Sequence, residues 1–473
     1  MTMVAQRQPF TVRLRHVDRG LLVLLAVFVL CLPLWTGRFY AVDSVEYFAY
    51  LPAVLLHHTL DFTEEYTYFD QHNPHAGIAK GLLVPEKRDP VTGRPINVAP
   101  IGTAVLWSPA FLLTHVVLKI MGGLGFHVRA DGLSVPYTEA VAIASTLYGL
   151  AGLLVSYLIV RRWTGVWAAT WAVIACALAS PVVFYTYVSP PWSHGPGLCI
   201  TALFIWYWLR TRPAPTVRQW VMLAVLGGLM ALCREQLGLW LLLPALDAVV
   251  AYGHALRTHD RSQLWQLVRQ HALFSLVLAL VLVPQFLSYH ALTGAYHPSN
   301  HVAGKLQAGW WSPHFLDTLI DPQHGAFLWT PVWLLGVLGL GWFWRRDRRM
   351  TIMMLVALLA QVYINGSLGP TWHLAGSFGF RRLIEATPVF ALGLACLIEG
   401  LRPPRPLVGL VCALLVAWNL GLIVQWSLPP RPIQKGLVWQ GMLSRQAEVP
   451  VQVAGKFNDL LFHRCRLVQN GNC

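Results

Sequence analysis

Charged residues are scarce in this sequence: only 12% of its 473 residues are Asp, Glu, Lys or Arg, whereas 56% are hydrophobic. Ordinary soluble domains contain roughly 25% charged residues, so this composition excludes a soluble globular protein. The sequence also lacks a glycine-rich phosphate loop, a nucleophile elbow, and CxxC and HExxH patterns. Those absences argue against nucleotide binding on the cytoplasmic side.

Acidic residues are fewer than basic ones, 21 against 35, which gives a formal net charge of +14. Such a charge is compatible with nucleic-acid binding, but the arginines form short clusters between apolar runs and do not follow one helix face. Short basic loops are typical of the cytoplasmic side of membrane proteins. We therefore expect no nucleic-acid partner and interpret the clusters as topology signals.

Long apolar runs lie between the arginine clusters. Each has about 17 to 23 residues, the length that a helix needs to cross a bilayer. The loops assigned to the cytoplasm are 161–162, 210–218, 257–269, 345–349 and 402–405. The predicted spans are 20–36, 138–160, 166–187, 195–210, 219–233, 235–253, 272–290, 326–344, 350–365, 383–400 and 407–427. The sequence thus predicts an all-α polytopic membrane protein with about eleven transmembrane helices.

This topology divides the chain into a cytoplasmic N-terminus (1–19), one transmembrane domain (20–428) and an outer C-terminal tail (429–473). The first run is expected to be retained as a span, because no small-residue cleavage site follows it. The larger outer segments are 37–136, 291–325 and 365–382. Cys465 and Cys473 lie in the outer tail, where a disulfide could persist.

The apolar stretch 101–121 breaks the alternation of sides if it crosses the membrane. We therefore expect an interfacial helix there, and its Pro109, His115 and Lys119 suit that position. The alternative, a twelfth span with an exceptional loop elsewhere, stays open.

Carboxylates are concentrated in the first outer segment, which with the start of the next span holds ten of the 21 acidic residues. Most of them suit a solvated loop, but Asp43 and Glu46 directly follow the first span and so lie near the membrane surface. A carboxylate partly screened from water has a raised pKa and can act as a general base. In a helix, residues three apart share a face. Asp43 and Glu46 are therefore the candidate catalytic residues.

Three arginines on the predicted outer side depart from the positive-inside tendency: Arg234, Arg381 and Arg382. Arginine forks bind phosphate with paired hydrogen bonds, so these residues are candidates for holding a lipid phosphate. The alternative is interfacial snorkelling toward lipid headgroups.

Histidines and tryptophans also cluster in the outer segments. The candidate substrate-binding residues are His194, Trp192, Lys305, His297, Trp372 and His373. The indole rings could line sugar rings, although an interfacial aromatic belt explains them equally well. No group shows the spacing of metal ligands, so we expect neither a metal nor another cofactor, while a divalent metal is not excluded.

Several motifs together resemble the GT-C superfamily of polytopic glycosyltransferases, in particular the bacterial branch similar to aminoarabinose and protein O-mannosyl transferases. The first is Asp43-Ser-Val-Glu-Tyr-Phe-Ala-Tyr-Leu-Pro followed by Leu60-Asp-Phe-Thr-Glu-Glu-Tyr. The others are Asp321-Pro-Gln-His-Gly and Ser377-Phe-Gly-Phe-Arg-Arg-Leu. The resemblance spans most of the chain.

The resemblance implies a multi-pass protein of the bacterial cytoplasmic membrane with interfacial helices in the first outer loop, and the basic loops place its N-terminus inside and its C-terminus outside. It implies transfer of a sugar from a polyprenyl phosphate to a glycan, lipid or protein acceptor on the outer face, with Asp43 at the family's essential acidic position. Two departures stand out: Ser44 replaces the second acid of the family's Asp-Glu pair, and Pro190-Pro-Trp-Ser-His194 replaces a segment that often carries an acid.

Two other functions stay open at this point. One is a flippase or carrier for lipid-linked sugars, although the predicted spans are nearly free of the charged groups that ion-coupled carriers need. The other is a glycan polymerase or ligase of the O-antigen type, which would use a lipid-linked oligosaccharide donor.

Overall fold

The computed structural model describes residues 18–37, 39, 41–74, 77–212, 214–298, 304, 306 and 309–463. These residues form helices, turns and loops and contain no β-strand. The predicted all-α fold class is therefore confirmed. Lys305 and the Cys465–Cys473 pair lie outside the described residues.

The α-helices are α1 (Arg19–Cys31), α2 (Val42–Leu55), α3 (Thr63–His72), α4 (Gly102–Gly123), α5 (Val135–Val160), α6 (Val166–Leu178), α7 (Pro181–Val183), α8 (His194–Thr211), α9 (Val217–Cys233), α10 (Leu242–Arg257), α11 (Arg261–Thr293), α12 (Asp317–Ile320), α13 (Ala326–Trp329), α14 (Pro331–Phe343), α15 (Arg348–Gly366), α16 (Thr387–Leu401), α17 (Arg405–Ser427), α18 (Met442–Gly455) and α19 (Phe457–Phe462). Short 3-10 turns precede α10 (Glu235–Leu241) and α16 (Arg381–Ala386).

Every predicted span coincides with helix, but the count of eleven is not confirmed. Seven described helical stretches are long and apolar enough to cross a bilayer: α4, α5, α11, α15, α17 and the continuous stretches Glu235–Arg257 and Arg381–Leu401. An eighth results if α6 and the helix Pro181–Val188, which are bent by 65° at their junction, form one span. Helices α1, α9 and α14 are apolar but shorter.

Predicted cytoplasmic segments meet in ion pairs. Arg161 lies 3.3 Å from Asp18 at the start of α1, and Asp247 lies 2.6 Å from both Arg212 and Arg349. Residues 161, 212 and 349 come from three of the five basic loops. Arg212 and Arg349 meet at the shared Asp247, and Arg161 meets the N-terminal segment. These contacts agree with a common side, whereas the assignment of that side to the cytoplasm stays a prediction.

Helix α4 contains the stretch expected to lie in the interface. Its Leu106 carbonyl accepts a hydrogen bond from the Tyr148 hydroxyl at 2.8 Å, and His115 bonds to the Tyr137 hydroxyl at 2.6 Å. Tyr137 lies in the first turn of α5 and Tyr148 near its middle, so both contacts are distant from Arg161 at its far end. Helix α4 is also one of the seven stretches long enough to cross a bilayer, and its interfacial position stays a prediction.

Two apolar cores lie side by side in the described structure. The larger one joins most of the long helices and buries Trp208, Trp240 and Trp333. The smaller one surrounds α2 to α4 and buries Phe48 and Trp107. Tight burial of large aromatic rings holds each unit rigid, and the boundary between the units is where the candidate site lies.

Helices α14 and α16 approach closely through glycines. A Cβ atom at Gly339 would collide with the Gly393 carbonyl, and one at Gly393 would collide with the Gly336 carbonyl. Small residues permit such backbone contact between membrane helices. The turn Arg381–Ala386 directly precedes α16.

We expect Gly339→Val to lower the melting temperature, because the added side chain must push α14 away from α16, at a cost of about 1–3 kcal/mol. Gly341→Val is the matched control, since Gly341 lies on the same helix and has no atom within 4 Å of its Cβ position. Thermal unfolding in detergent, followed by size-exclusion chromatography, measures both. Equal melting temperatures for the two variants contradict the prediction.

Candidate functional site

Asp43 and Glu46 lie on α2, as the helical spacing predicts. Asp43 occupies the first turn, where a negative charge is favoured by the helix dipole. Glu46 is buried and accepts a hydrogen bond from the Val98 N–H at 3.0 Å, and the Asn97 side chain donates to the Glu46 carbonyl at 2.9 Å. These bonds fix α2 against the 97–98 segment and so fix the position of Asp43 one turn earlier on the same helix.

The Asp43 carboxylate meets Arg381 across the boundary between the two cores. The distance from Arg381 Nη2 to Asp43 Oδ2 is 2.8 Å. The Arg381 guanidinium also lies 4.2 Å from the centre of the Trp192 ring, a cation–π contact, and the Trp192 Nε1–H donates to the Ser189 hydroxyl at 2.8 Å. Two partners thus fix Arg381, and the predicted meeting of Asp43 with Arg381 is observed.

A cavity of about 370 Å³ surrounds this pair. Its polar walls come from Asp43, Glu46, Arg381, Arg382 and His373. The remaining lining residues are Ala41, Tyr47, Val98, Ala99, Trp192, Thr371, Leu374, Ala375, Gly376 and Ser377. The size suits one or two sugar rings, and the charges suit a polar ligand with an anionic group.

Arg382 lies between this cavity and a second one of about 880 Å³, because it lines both. The second cavity is mostly apolar, with walls that include Leu239, Leu306, Ile364 and Leu368. Among the described residues, no carboxylate forms an ion pair with Arg382, and its buried Nη1 has no hydrogen-bond partner. Arg382 is therefore a cation available to a ligand.

The backbone at Arg382 is held in place by side-chain amides. Gln236 Nε2 donates to the Arg382 carbonyl at 3.0 Å, and Gln361 Nε2 donates to the Gln236 carbonyl at 3.0 Å. These bonds fix the backbone from which the Arg382 side chain extends.

The pKa of Asp43 shifts in the direction opposite to the one expected from its position. Burial raises the pKa, but the charge and hydrogen bond of Arg381, with smaller contributions from Arg382 and His194, outweigh burial and lower it below the usual carboxyl value. The expectation of a raised pKa was wrong because it did not include an arginine in contact. Asp43 is consequently ionised at neutral pH.

Arg234 and His194 share a buried partner that the sequence analysis missed. Glu385 Oε1 accepts from Arg234 Nη1 at 3.1 Å and lies 3.0 Å from His194 Nδ1. Only 1% of the Glu385 side chain and 2% of His194 are exposed, so neither touches a ligand from solvent. Glu385 lies in the predicted span 383–400, which also contains Glu399 near its other end. An acid within an apolar run is the signal that could have identified it.

The other predicted substrate-binding residues are spread more widely. Trp192 and His373 line the smaller cavity, although Trp192 mainly braces Arg381. Trp372 stacks on His314 with ring centres 4.6 Å apart and lines neither cavity. His297 is exposed and lines neither cavity, but it hydrogen-bonds at 2.9 Å to the carbonyl of Pro298, which lines the larger one.

A metal ion would need several oxygen, nitrogen or sulfur ligands around one point. Within the described ranges, no three His, Cys, Asp or Glu side chains are grouped closely enough to provide them.

We expect Arg381→Gln to raise the pKa of Asp43, so that an activity that needs the ionised carboxylate is lost at a higher pH than in the native protein. In the native protein, Asp43 loses its charge only below the ordinary carboxyl pKa of about 3.9. Removing Arg381 deletes the main contribution that lowers this pKa and leaves burial, which raises it. Residual activity measured from pH 4 to pH 8 and normalised to its maximum tests this shift. Arg129→Gln, a change of an exposed arginine, should keep the native profile.

No protein-family profile and no curated protein matches the sequence. Two solved structures are similar to the chain: ArnT from Cupriavidus metallidurans bound to undecaprenyl phosphate, at 17% identity and a TM-score of 0.49, and the same protein in the apo state, at 18% and 0.48. Each match covers 95% of this chain and 72% of the ArnT chain.

Proposed function

We propose that this protein is a membrane glycosyltransferase that moves a sugar from a polyprenyl phosphate to a glycan, lipid or protein acceptor on the non-cytoplasmic face. The observation that carries the proposal is the arrangement around Arg382. An unpaired cation lies between a polar cavity that contains an ionised carboxylate and a larger apolar cavity. A lipid-linked sugar phosphate has the same order of parts: sugar, anion, apolar chain.

In this proposal, Asp43 accepts the proton of the acceptor hydroxyl or amine while the acceptor atom forms a bond to the anomeric carbon. The bond between that carbon and the phosphate oxygen breaks, and the lipid phosphate leaves with the electron pair. A low pKa makes Asp43 a weak base, but it keeps the carboxylate ionised and ready. Phosphate is a good leaving group, so little acid assistance is needed.

Arg381 and Arg382 stabilise the charge that develops on the departing phosphate. Fixed positive charge in a partly buried site supplies several kcal/mol of stabilisation because it does not reorganise during the reaction. Protonation of Asp43 also weakens its attraction for Arg381, so that guanidinium becomes available as the phosphate gains charge. Arg234, which sequence analysis placed in the same role, is already paired with Glu385.

The lipid part of the donor is inferred from the second cavity. Its apolar walls and the neighbouring Arg382 suit a polyprenyl chain attached to a phosphate. The similar ArnT structure contains undecaprenyl phosphate, a ligand of this kind. A polyprenyl-phosphate sugar is therefore the donor class that we propose.

Purified protein in sealed vesicles tests the proposal against its main rival, a carrier for lipid-linked sugars. We expect a labelled lipid-linked sugar, supplied with envelope glycans and lipids as acceptors, to give a glycosylated product and free polyprenyl phosphate. Movement of the labelled lipid across the bilayer without product contradicts the proposal and supports the carrier. Product formed only from a lipid-linked oligosaccharide supports the polymerase or ligase. Mass spectrometry of envelope glycans from a deletion strain would then identify the sugar and the acceptor.

A further inference from the structure

The three arginines of the site differ in their partners. Arg381 pairs with Asp43, and Arg234 pairs with Glu385. Arg382 alone among them has no ion-pair partner within the described part of the chain. The ion pairs therefore leave one guanidinium whose charge is not matched by a contacting carboxylate.

Glu385 is built into the same short turn as two of these arginines. The turn Arg381–Ala386 directs Arg381 and Arg382 toward the cavities, whereas Glu385 points into the protein interior. Both Glu385 oxygens lie within 3.4 Å of Arg234 Nη1, and His194 also contacts one of them. Glu385 lines neither cavity, so it acts on a ligand only through its neighbours.

The charge of the lipid phosphate changes during the proposed reaction. The donor is a phosphodiester with a charge of −1, and the product is a monoester with a charge of about −1.5 to −2 at pH 7. Each further positive charge at the site strengthens binding of the monoester more than binding of the diester, because the monoester carries the larger negative charge. A site with too much positive charge would retain its product.

We propose that Glu385 is a positioning residue that holds and neutralises Arg234, so that the site binds the donor phosphodiester without retaining the product monoester. This inference rests on the proposed function. Glu46 and Glu235 also face the cavities, but they hydrogen-bond to Val98 and Tyr289 and stay the same in every variant compared below.

The first experiment compares Glu385→Gln with the native protein in nanodiscs. Binding of polyprenyl phosphate and of its methyl diester is measured directly, without turnover. We expect affinity for the monoester to rise by about tenfold and affinity for the diester to rise less, the scale of one added charge in a partly buried site. In steady-state assays, kcat falls and KM does not increase, because product release becomes slower.

A control variant separates this effect from the loss of an ion pair in general. Glu399 pairs with Arg346 at 2.7 Å, away from both cavities. Glu399→Gln therefore removes an ion pair without changing the charge of the site, and we expect its preference between monoester and diester to equal that of the native protein.

The double variant Arg234→Gln/Glu385→Gln gives the sharpest comparison, because it removes one charge of each sign. We expect its preference between monoester and diester to return toward the native value. If Glu385→Gln does not fold, the single variant Arg234→Gln is measured instead. We expect Arg234→Gln to lower the affinity for the monoester and the double variant to restore that affinity.

Unchanged monoester affinity in Glu385→Gln, or a double variant that does not recover the native preference, overturns the role of Glu385 and leaves the proposed function intact. A native protein that binds neither lipid overturns the proposed function and this inference together. A purely structural role of Glu385 predicts lower stability in Glu385→Gln and Arg234→Gln and no change in the preference between monoester and diester.

Discussion

Asp43→Asn should reduce sugar transfer by about 10²-fold or more while the protein stays folded, because the amide cannot accept the acceptor's proton. The substitution keeps the size of the side chain and an oxygen for Arg381, so KM for the donor should change much less than kcat. Initial rates with a labelled lipid-linked sugar in nanodiscs measure both constants, and the elution profile in size-exclusion chromatography reports folding.

The matched control is Glu86→Gln, which removes an exposed carboxylate from the same outer segment. We expect it to retain the native rate within about twofold, since a solvated surface charge contributes little. If Asp43→Asn keeps native turnover, Asp43 is not the base. In that case the Asp43–Arg381 pair serves only to hold α2 against the larger core.

Arg382→Gln should have an effect of similar size, about 10²- to 10³-fold on kcat, because it removes the unpaired cation from the phosphate position. Donor affinity should also fall, and the loss should be largest for the charged lipid phosphate. Direct binding of polyprenyl phosphate, measured beside turnover, separates the two contributions.

Arg382→Lys and Arg129→Gln serve as controls for this second prediction. Lysine keeps the charge but loses the planar fork, so we expect partial activity from Arg382→Lys. Arg129 is exposed in the outer segment, and its replacement should leave turnover and binding unchanged. Native phosphate binding in Arg382→Gln would place the lipid phosphate elsewhere.

The helical architecture could be predicted from sequence because apolar runs of the right length and basic loops both report on the bilayer. The number of spans could not. The bend between α6 and Pro181–Val188 and the short α14 show that helices inside a bundle need not each meet a bilayer-wide length, because neighbouring helices cover their ends.

At the site, the sequence analysis identified the Asp43 and Arg381 pair from their positions next to predicted spans. Glu385 was not identified, although an acid within an apolar run was the available signal. The sequence analysis also assigned Arg234 to a ligand that the structure replaces with a carboxylate of the same chain. Pairing between residues 151 positions apart leaves no local trace in the sequence, so such a correction requires coordinates.

Asp43 and Arg381 are 338 positions apart along the chain. During biosynthesis, α2 is therefore made long before the turn that carries Arg381. The Asp43 carboxylate lacks this partner while the intervening helices are inserted. A chain interrupted after α15 would contain Asp43, His194 and Arg234 but neither Arg381 nor Glu385. Completion of the site thus marks a late stage of membrane insertion, and prematurely terminated chains should lack activity.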